Sequence, residues 1–445
     1  MWLERSISWG LNAIYSVLLL AASPWMFYQS LRYGKYREGW HEKLLGSVPA
    51  RSGTRNAVWF HAVSVGELQL LRPLIREFQQ RWPDWEIVLS TTTVTGRKLA
   101  QESYPELITF YCPFDFTWGL KRALSRLRPS MLVLAELELW PNLISLAHRQ
   151  GVKIAIVNGR LSERSFKGYN RIRFLTRSLL SKLDCISVQN STYAERFIQL
   201  GARSDHVHVT GSIKFDGANS NRQHPEVLQR RKWAGLDERD AVWVVGSTQE
   251  AEEVMATEIY LRLRENYSSL KLVVVPRHAE RFDEVYQSLL KFGIRVVRRS
   301  VVRQESAGDW DVLLIDTIGE LRWWWGIADF ATVGGSFGNR GGQNMIEPCA
   351  YGASVSFGPN TRNFRDIVRD LLQWELATQV TDSRELESWL LKGLNEPSRA
   401  REQGNRAAVW VGTHLGATKR TSDLLAPFIE FVENPREICA IRDAA

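Results

Sequence analysis

Ala57-Val58-Trp59-Phe60-His61-Ala62-Val63-Ser64-Val65-Gly66-Glu67 is a short apolar run that gives way to small residues and then to one carboxylate. Ala57 to Phe60 reads as a buried strand, Ser64 and Gly66 permit a tight turn, and Leu68 to Phe78 continues with apolar residues at helical spacing. A strand that turns directly into a helix is the first half of a βαβ unit. It puts Glu67 near the strand's carboxyl end, where open α/β sheets bind ligands, and a carboxylate placed there is a candidate general base. The competing account is a first-turn glutamate favoured by the helix dipole.

The same rhythm continues outward. Ile87 to Ser90, Met131 to Leu134, Ile154 to Val157 and Cys185 to Val188 read as further strands, each followed by an amphipathic helical stretch. A second series comprises Val242 to Val245, Leu272 to Val275, Val296 to Val297, Val312 to Ile315, Phe330 to Val333 and Ser354 to Ser356. At 445 residues the chain exceeds what one core usually serves. The expected organisation is α/β with two parallel-sheet domains, residues 32–215 and 225–445, joined by the polar linker 216–224 after the strand-like Val207 to Gly211.

Residues 1–31 are of a different kind. No charged residue occurs between Arg5 and Arg32, and Leu11 to Tyr28 is apolar over a length that crosses a bilayer as a helix. Pro24, Trp25, Phe27 and Tyr28 suit an interfacial end, and Arg32, Lys35, Arg37 and Lys43 would be retained on the cytoplasmic side. A cleavable signal peptide fits less well, because the segment opens on Glu4 and Arg5 and has no small-x-small site; an in-plane interfacial helix is a variant of the anchor. The segment is expected to attach the protein to a membrane and to supply no chemistry. The formal charge of +8 and 18 Trp residues lean toward an acidic partner. Cys112, Cys185, Cys349 and Cys439 are scattered, which argues against a zinc site and a disulfide framework and fits a reducing compartment.

The unusual loops follow predicted strands. Gly334-Gly335-Ser336 and Gly341-Gly342 would let backbone amides approach a phosphate, although the spacing is neither a Walker loop nor a dinucleotide fingerprint, and two ordinary turns are the alternative. Asn344 and Glu347 share a helix face, from which Glu347 can accept hydrogen bonds from a ribose diol; Arg277 offers a planar fork to a phosphate or carboxylate. Glu136 and Glu138 form a carboxylate pair, read as one inward and one solvated rather than as a glycosidase dyad. Lys214 stands where the domains join and can neutralise charge, or be a surface lysine. Arg160, Arg164, Lys167, Arg171, Arg173, Arg177 and Lys182, interleaved with Phe166, Tyr169 and Phe174, suit an anionic membrane surface, or form a solvated basic helix. Trp323-Trp324-Trp325 reads as core packing.

In this order, His61 to Glu67, Glu136 to Asn142, Asn158-Gly159-Arg160-Leu161-Ser162, Gly211 to Asp216, Pro276-Arg277-His278, Gly319-Glu320, Gly334 to Ser336 and Asn344 to Glu347 resemble the 3-deoxy-D-manno-octulosonic acid (Kdo) transferases of lipid A biosynthesis. The resemblance implies the GT-B architecture, two Rossmann-like domains facing a cleft. It implies inverting transfer of Kdo from CMP-Kdo to a lipid A precursor on the cytoplasmic face of the bacterial inner membrane. Membrane lipids are the other expected partners, with no metal, no cofactor and no nucleic acid. It makes Glu67 the proton acceptor and Glu136 and Lys214 transition-state stabilisers. Pro276, Arg277, Ile318, Gly319, Glu320, Asn344, Met345, Ile346 and Glu347 then take the CMP positions. The chain departs from the family where Gln249 and Gln343 replace the usual His. The residues leave open a GT-B enzyme for another nucleotide sugar, such as a UDP-hexose, and a non-catalytic membrane-attached binding protein.

Overall fold

Ser64 caps the helix Val65–Arg81, whose residues Leu68, Leu71, Leu74, Ile75 and Phe78 are buried at the three-and-four spacing of one helix face. The strand before it, β1 (Ala57–His61), is buried along its whole length. Its alternate side chains enter two cores: Trp59 joins Leu132 and Leu134 on one side of the sheet, and Val58 and Phe60 join Met131 and Val133 on the other. A strand covered on both faces needs an uninterrupted apolar run, and this run has one.

The computed structural model describes residues 2–34, 37–302 and 306–433; Lys35 and Cys439 lie outside the described residues. The chain divides into two units, residues 2–216 with 416–433, and Gly217–Leu415. In the first, β1 is followed by β2 (Glu86–Thr91), β3 (Ile108–Tyr111), β4 (Met131–Ala135), β5 (Lys153–Gly159), β6 (Cys185–Val188) and β7 (Val207–Val209). They form one sheet in the order β3-β2-β1-β4-β5-β6-β7, with every pairing parallel. β3 was not expected from the sequence.

The second unit repeats the plan with β8 (Ala241–Thr248), β9 (Leu270–Pro276), β10 (Val296–Arg298), β11 (Val312–Leu314), β12 (Phe330–Val333), β13 (Ser354–Phe357) and the unexpected β14 (Thr378–Gln379). The order is β10-β11-β9-β8-β12-β13-β14, again all parallel. Trp324 and Trp325 are core residues, as expected, while Trp323 stacks on His224 with centroids 4.4 Å apart.

The domain limits differ from expectation at both ends. Residues 217–224 belong to the second unit, where the Arg222 guanidinium donates to the carbonyls of Tyr351 (2.6 Å) and Ala328 (2.7 Å). The last helix, Ala417–Glu433, leaves the expected 225–445 domain and completes the first unit: Ala417, Leu425 and Ile429 are fully buried in the core that holds Phe60 and Leu71. The Asp216 carboxylate fastens its start by accepting from the backbone N–H of Gly416 (2.6 Å) and of Thr418.

The N-terminal helix runs unbroken from Trp2 to Tyr33 through Pro24, so Pro24 does not end it. Its part Ser6–Tyr33 is the one helix among the described residues long and apolar enough to cross a membrane. It is also joined to the first unit, since Ser8 is buried and Asn12 and Tyr15 bond to residues beyond the helix.

Candidate active site

In the first unit β1 and β4 are neighbours, while the connections from them run to opposite sides of the sheet. This is the topological switch point, where a crevice opens beyond the strands' carboxyl ends. Glu67 follows β1 and Glu136 directly follows β4, so the two carboxylates named from the sequence border one crevice.

Glu67 is held by the helix cap. Its N–H donates to Ser64 Oγ (3.4 Å), the Ser64 hydroxyl donates back to Oε1 (3.2 Å), and Oε2 accepts from the Val63 N–H (2.9 Å). The arrangement is close to a capping box. Both carboxylate oxygens accept hydrogen bonds within the cap, which fixes the side chain's rotamer. Burial pushes the Glu67 carboxyl up to about 7; the Val63 bond opposes the rise, and the charges of Glu138 and Glu136 add to it. A carboxylate that exchanges its proton near neutral pH is matched to general-base work.

Glu136 adopts a left-handed backbone (φ +50°), held by its N–H donating to the Val157 carbonyl at 3.0 Å. The Lys214 ammonium lies 3.7 Å from Glu136 Oε1, so the two residues expected as transition-state stabilisers stand side by side. Neither member of the pair is freely solvated, as one of the two was expected to be: Glu136 and Glu138 are both half-buried, and Glu138 accepts from Trp140 Nε1 at 2.8 Å and has its pKa raised by burial. Three carboxylates therefore share this crevice with Lys214.

Asn158 and His61, which stand in two of the motifs but were given no role, hold neighbouring parts of the site in place. Asn158, buried and left-handed (φ +55°), sits where the β5–β6 register shifts, and its Oδ1 accepts from the Ile213 N–H at 3.0 Å, fixing the turn that carries Lys214. His61 is fully buried, its Nδ1 2.8 Å from Ser90 Oγ and its ring edge-on to Trp140. Burial lowers its pKa to about 4, which keeps it neutral at pH 7.

In the second unit the switch point lies between β8 and β12. Arg277 is exposed just past β9, its N–H bonded to the Thr248 carbonyl at 3.1 Å. Asn344 Nδ2 donates to Glu347 Oε1 at 3.0 Å. Burial raises the Glu347 pKa, opposed by Asn344 and by the charges of Arg277 and Arg322, so these side chains share one neighbourhood. Ile318 is 83 % exposed beside Gly319 (φ +86°), an apolar surface suited to a base or ribose face. The Glu320 carboxylate is already paired with Arg230 (3.2 Å) and Arg299 (3.3 Å). The side chains of Pro276, Met345 and Ile346 are buried, and the Ile346 N–H donates to Asn344 Oδ1 at 3.1 Å.

The glycine-rich loop is a correction. The amides of Gly335 (2.8 Å), Ser336 (3.2 Å) and Phe337 (3.1 Å), with that of Gln249 (2.8 Å), all donate to the buried Glu252 carboxylate. An internal carboxylate thus fills the anion cradle expected to meet a phosphate. Gly335 also separates the two departures from the family pattern: a Cβ there would lie 3.3 Å from Gln343 and 3.6 Å from Gln249. The basic segment forms two helices, Glu163–Arg171 and Arg173–Leu180, with Ile172 and Phe174 exposed between arginines. No cluster of three or more His, Cys, Asp or Glu suited to a metal occurs among the described residues.

Residues 38–217 match the 3-deoxy-D-manno-octulosonic-acid transferase (kdotransferase) family model. The chain is similar to the 3-deoxy-D-manno-octulosonic acid transferase of Bordetella pertussis, at 35 % identity over 94 % of this chain and 99 % of that one. It is 30 % identical to the Haemophilus influenzae transferase of that name over 94 % of this chain and 98 % of the relative. In fold it resembles UDP-GlcNAc 2-epimerase from Neisseria meningitidis, with a TM-score of 0.55 at 12 % identity, covering 83 % of this chain and 100 % of that one. The two Rossmann-like units are those of the GT-B architecture, and with near-complete alignment to relatives of one description, the chain belongs to the 3-deoxy-D-manno-octulosonic acid transferase family.

Proposed function

We propose that this protein moves Kdo from CMP-Kdo to a hydroxyl of a lipid A precursor, with inversion and without a metal, at the cytoplasmic face of the bacterial inner membrane. The observation that carries the reading is Glu67, a carboxyl raised to about 7 and fixed by its cap at the switch point beside Glu136 and Lys214. The acceptor oxygen attacks the anomeric carbon of Kdo as its proton passes to Glu67. The bond from that carbon to the CMP phosphate breaks, and its electron pair leaves with CMP. Lys214, oriented by Glu136, offsets negative charge on the reacting groups, and Arg277, Asn344 and Glu347 hold the nucleotide. The helix Ser6–Tyr33 and the basic pair of helices seat the enzyme on anionic lipid.

Mass spectrometry of the product formed by purified protein, CMP-Kdo and a tetraacylated lipid A precursor, with and without chelator, tests this reading. A product heavier by one or more Kdo residues, insensitive to chelator, is expected. Binding of UDP in place of CMP would instead favour a transferase for another nucleotide sugar.

A further inference from the structure

The apolar N-terminal helix carries a polar contact that a simple tether does not need. Asn12 Oδ1 accepts from the Thr117 N–H (3.2 Å) and from Asn142 Nδ2 (3.3 Å), and Asn12 Nδ2 donates to Thr117 Oγ1 (2.8 Å). One turn further on, the Tyr15 hydroxyl donates to Asp115 Oδ2 (3.3 Å), and the Tyr15 ring meets Phe116 edge-on. Ser8, Asn12 and Tyr15 follow the three-and-four spacing of one helix face, and that face is turned to the protein. An amide in an otherwise apolar helix is costly in lipid unless it is partnered, and here every contact is with the first unit.

The far side of this contact reaches the candidate site. Asp115 is buried and accepts from the backbone N–H groups of Asn142 (3.0 Å) and Leu143 (2.9 Å), while Asn142 Nδ2 donates to the Asp115 carbonyl (2.6 Å). Asn142 and Leu143 open the helix Pro141–Arg149, which begins immediately after the turn Glu136 to Trp140. That turn carries Glu136, paired with Lys214, and Glu138, bonded to Trp140. A continuous set of hydrogen bonds therefore runs from Asn12 and Tyr15, through Asp115 and Asn142, to the first turn of the helix that ends the carboxylate loop.

We propose that the N-terminal helix is a positioning element of the active site: through Asn12 and Tyr15 it sets the Glu136–Trp140 turn, so that membrane seating and the placement of the carboxylates are mechanically one. The inference rests on the reading of Glu67 as general base, because Glu136 and Glu138 are the charges that face Glu67 and help keep its proton affinity near neutral. It replaces the sequence expectation that the segment supplies attachment alone.

The test uses the full chain carrying Asn12→Leu or Tyr15→Phe, with detergent-dispersed acceptor so that tethering does not matter. The measurements are kcat, the KM for CMP-Kdo, CMP affinity, recovery in the membrane fraction and the pH–rate profile. A displaced turn is expected to lower kcat by roughly ten- to a hundred-fold for Asn12→Leu and less for Tyr15→Phe. The KM for CMP-Kdo, CMP affinity and membrane recovery should be unchanged, and the acid limb of the profile should move to lower pH as the carboxylates withdraw from Glu67. General destabilisation would scale activity alike at every pH. Should Asn12→Leu fail to fold, Tyr15→Phe, which removes one hydroxyl and keeps the ring, decides the matter. Wild-type kcat and profile in the folded variants would overturn the inference while an inactive Glu67→Gln left the general base standing. Wild-type turnover in Glu67→Gln would instead overturn the general-base reading on which the inference rests.

Discussion

The Lys214 ammonium lies 3.7 Å from the Glu136 carboxylate, with 26 % of each side chain exposed. A partly exposed ion pair at this separation contributes little to stability, on the order of 0–1 kcal/mol. In the proposed reaction it places a positive charge at the switch point. Lys214→Met should therefore lower turnover by about 10²- to 10³-fold, the range for losing one electrostatic stabiliser, and shift the melting midpoint only slightly. Comparing kcat with the melting curve of one preparation checks both halves; a large fall in the midpoint with modest loss of rate would make the pair structural.

Glu67 must be ionised to accept a proton, so kcat/KM should rise with pH through about 7 and level off above it. Glu67→Gln should reduce turnover by about 10²- to 10⁴-fold and leave CMP affinity within about two-fold. The stability effect has the opposite sign. With a folded pKa near 7 and an unfolded value near 4.5, the native state binds more protons between those limits, so its stability falls as pH rises through that window. At pH 8 Glu67→Gln is expected to be more stable than the parent, by on the order of 1 kcal/mol after allowance for partial exposure, with the difference vanishing near pH 4.5. Melting curves at the two pH values measure it, and a destabilised variant at pH 8 would contradict the assignment.

Arg277 and Glu347 hold the nucleotide in the proposed reaction. Loss of one charge-assisted hydrogen bond, about 1.5–3 kcal/mol, should raise the CMP dissociation constant about ten- to a hundred-fold in Arg277→Ala or Glu347→Ala. Calorimetric titration of the folded variants gives the number directly. Unchanged affinity would place the nucleotide elsewhere.

Glu252 receives four backbone N–H groups from two loops of the second unit. Glu252→Gln keeps the shape, removes the charge and turns an amide N–H toward some of those donors. Melting of the second unit should come several degrees lower, and CMP binding should weaken as the loop from Gly334 to Phe337 loosens. If limited proteolysis and melting are both unaltered, the cradle does not need its carboxylate.

Much of the fold was legible because parallel strands covered on both faces need continuous apolar runs, as Ala57 to Phe60 and Met131 to Leu134 show. β3 is Ile-Thr-Phe-Tyr, four strand-favouring residues whose Thr and Tyr break the continuous apolar run used to recognise the other strands, and β14 is two polar residues at a sheet edge without the length of a strand. Leu425 and Ile429 announce a buried face but not which core buries it, and so the last helix was assigned to the wrong unit. At the site, Glu67 was legible from its turn, whereas Glu252 was not, because a chain of free amides looks the same whether the anion is a ligand or a distant side chain. Asn12 passed unremarked for a related reason: its partners Thr117 and Asn142 are more than a hundred positions away.

The closing of Asp216 onto Gly416 has a consequence for how the protein is made. The ribosome delivers β1 to β7 first, with Glu67, Glu136 and Lys214 already in the nascent chain, and the whole of residues 217–415 next. Only then does it release the helix whose Ala417, Leu425 and Ile429 fill the remaining space beside the first sheet. The unit made first is thus the one finished last, and a stalled chain ending before 417 would present an open apolar face with every proposed catalytic residue in place. The first unit's core is therefore closed only by residues made after the whole of the second unit.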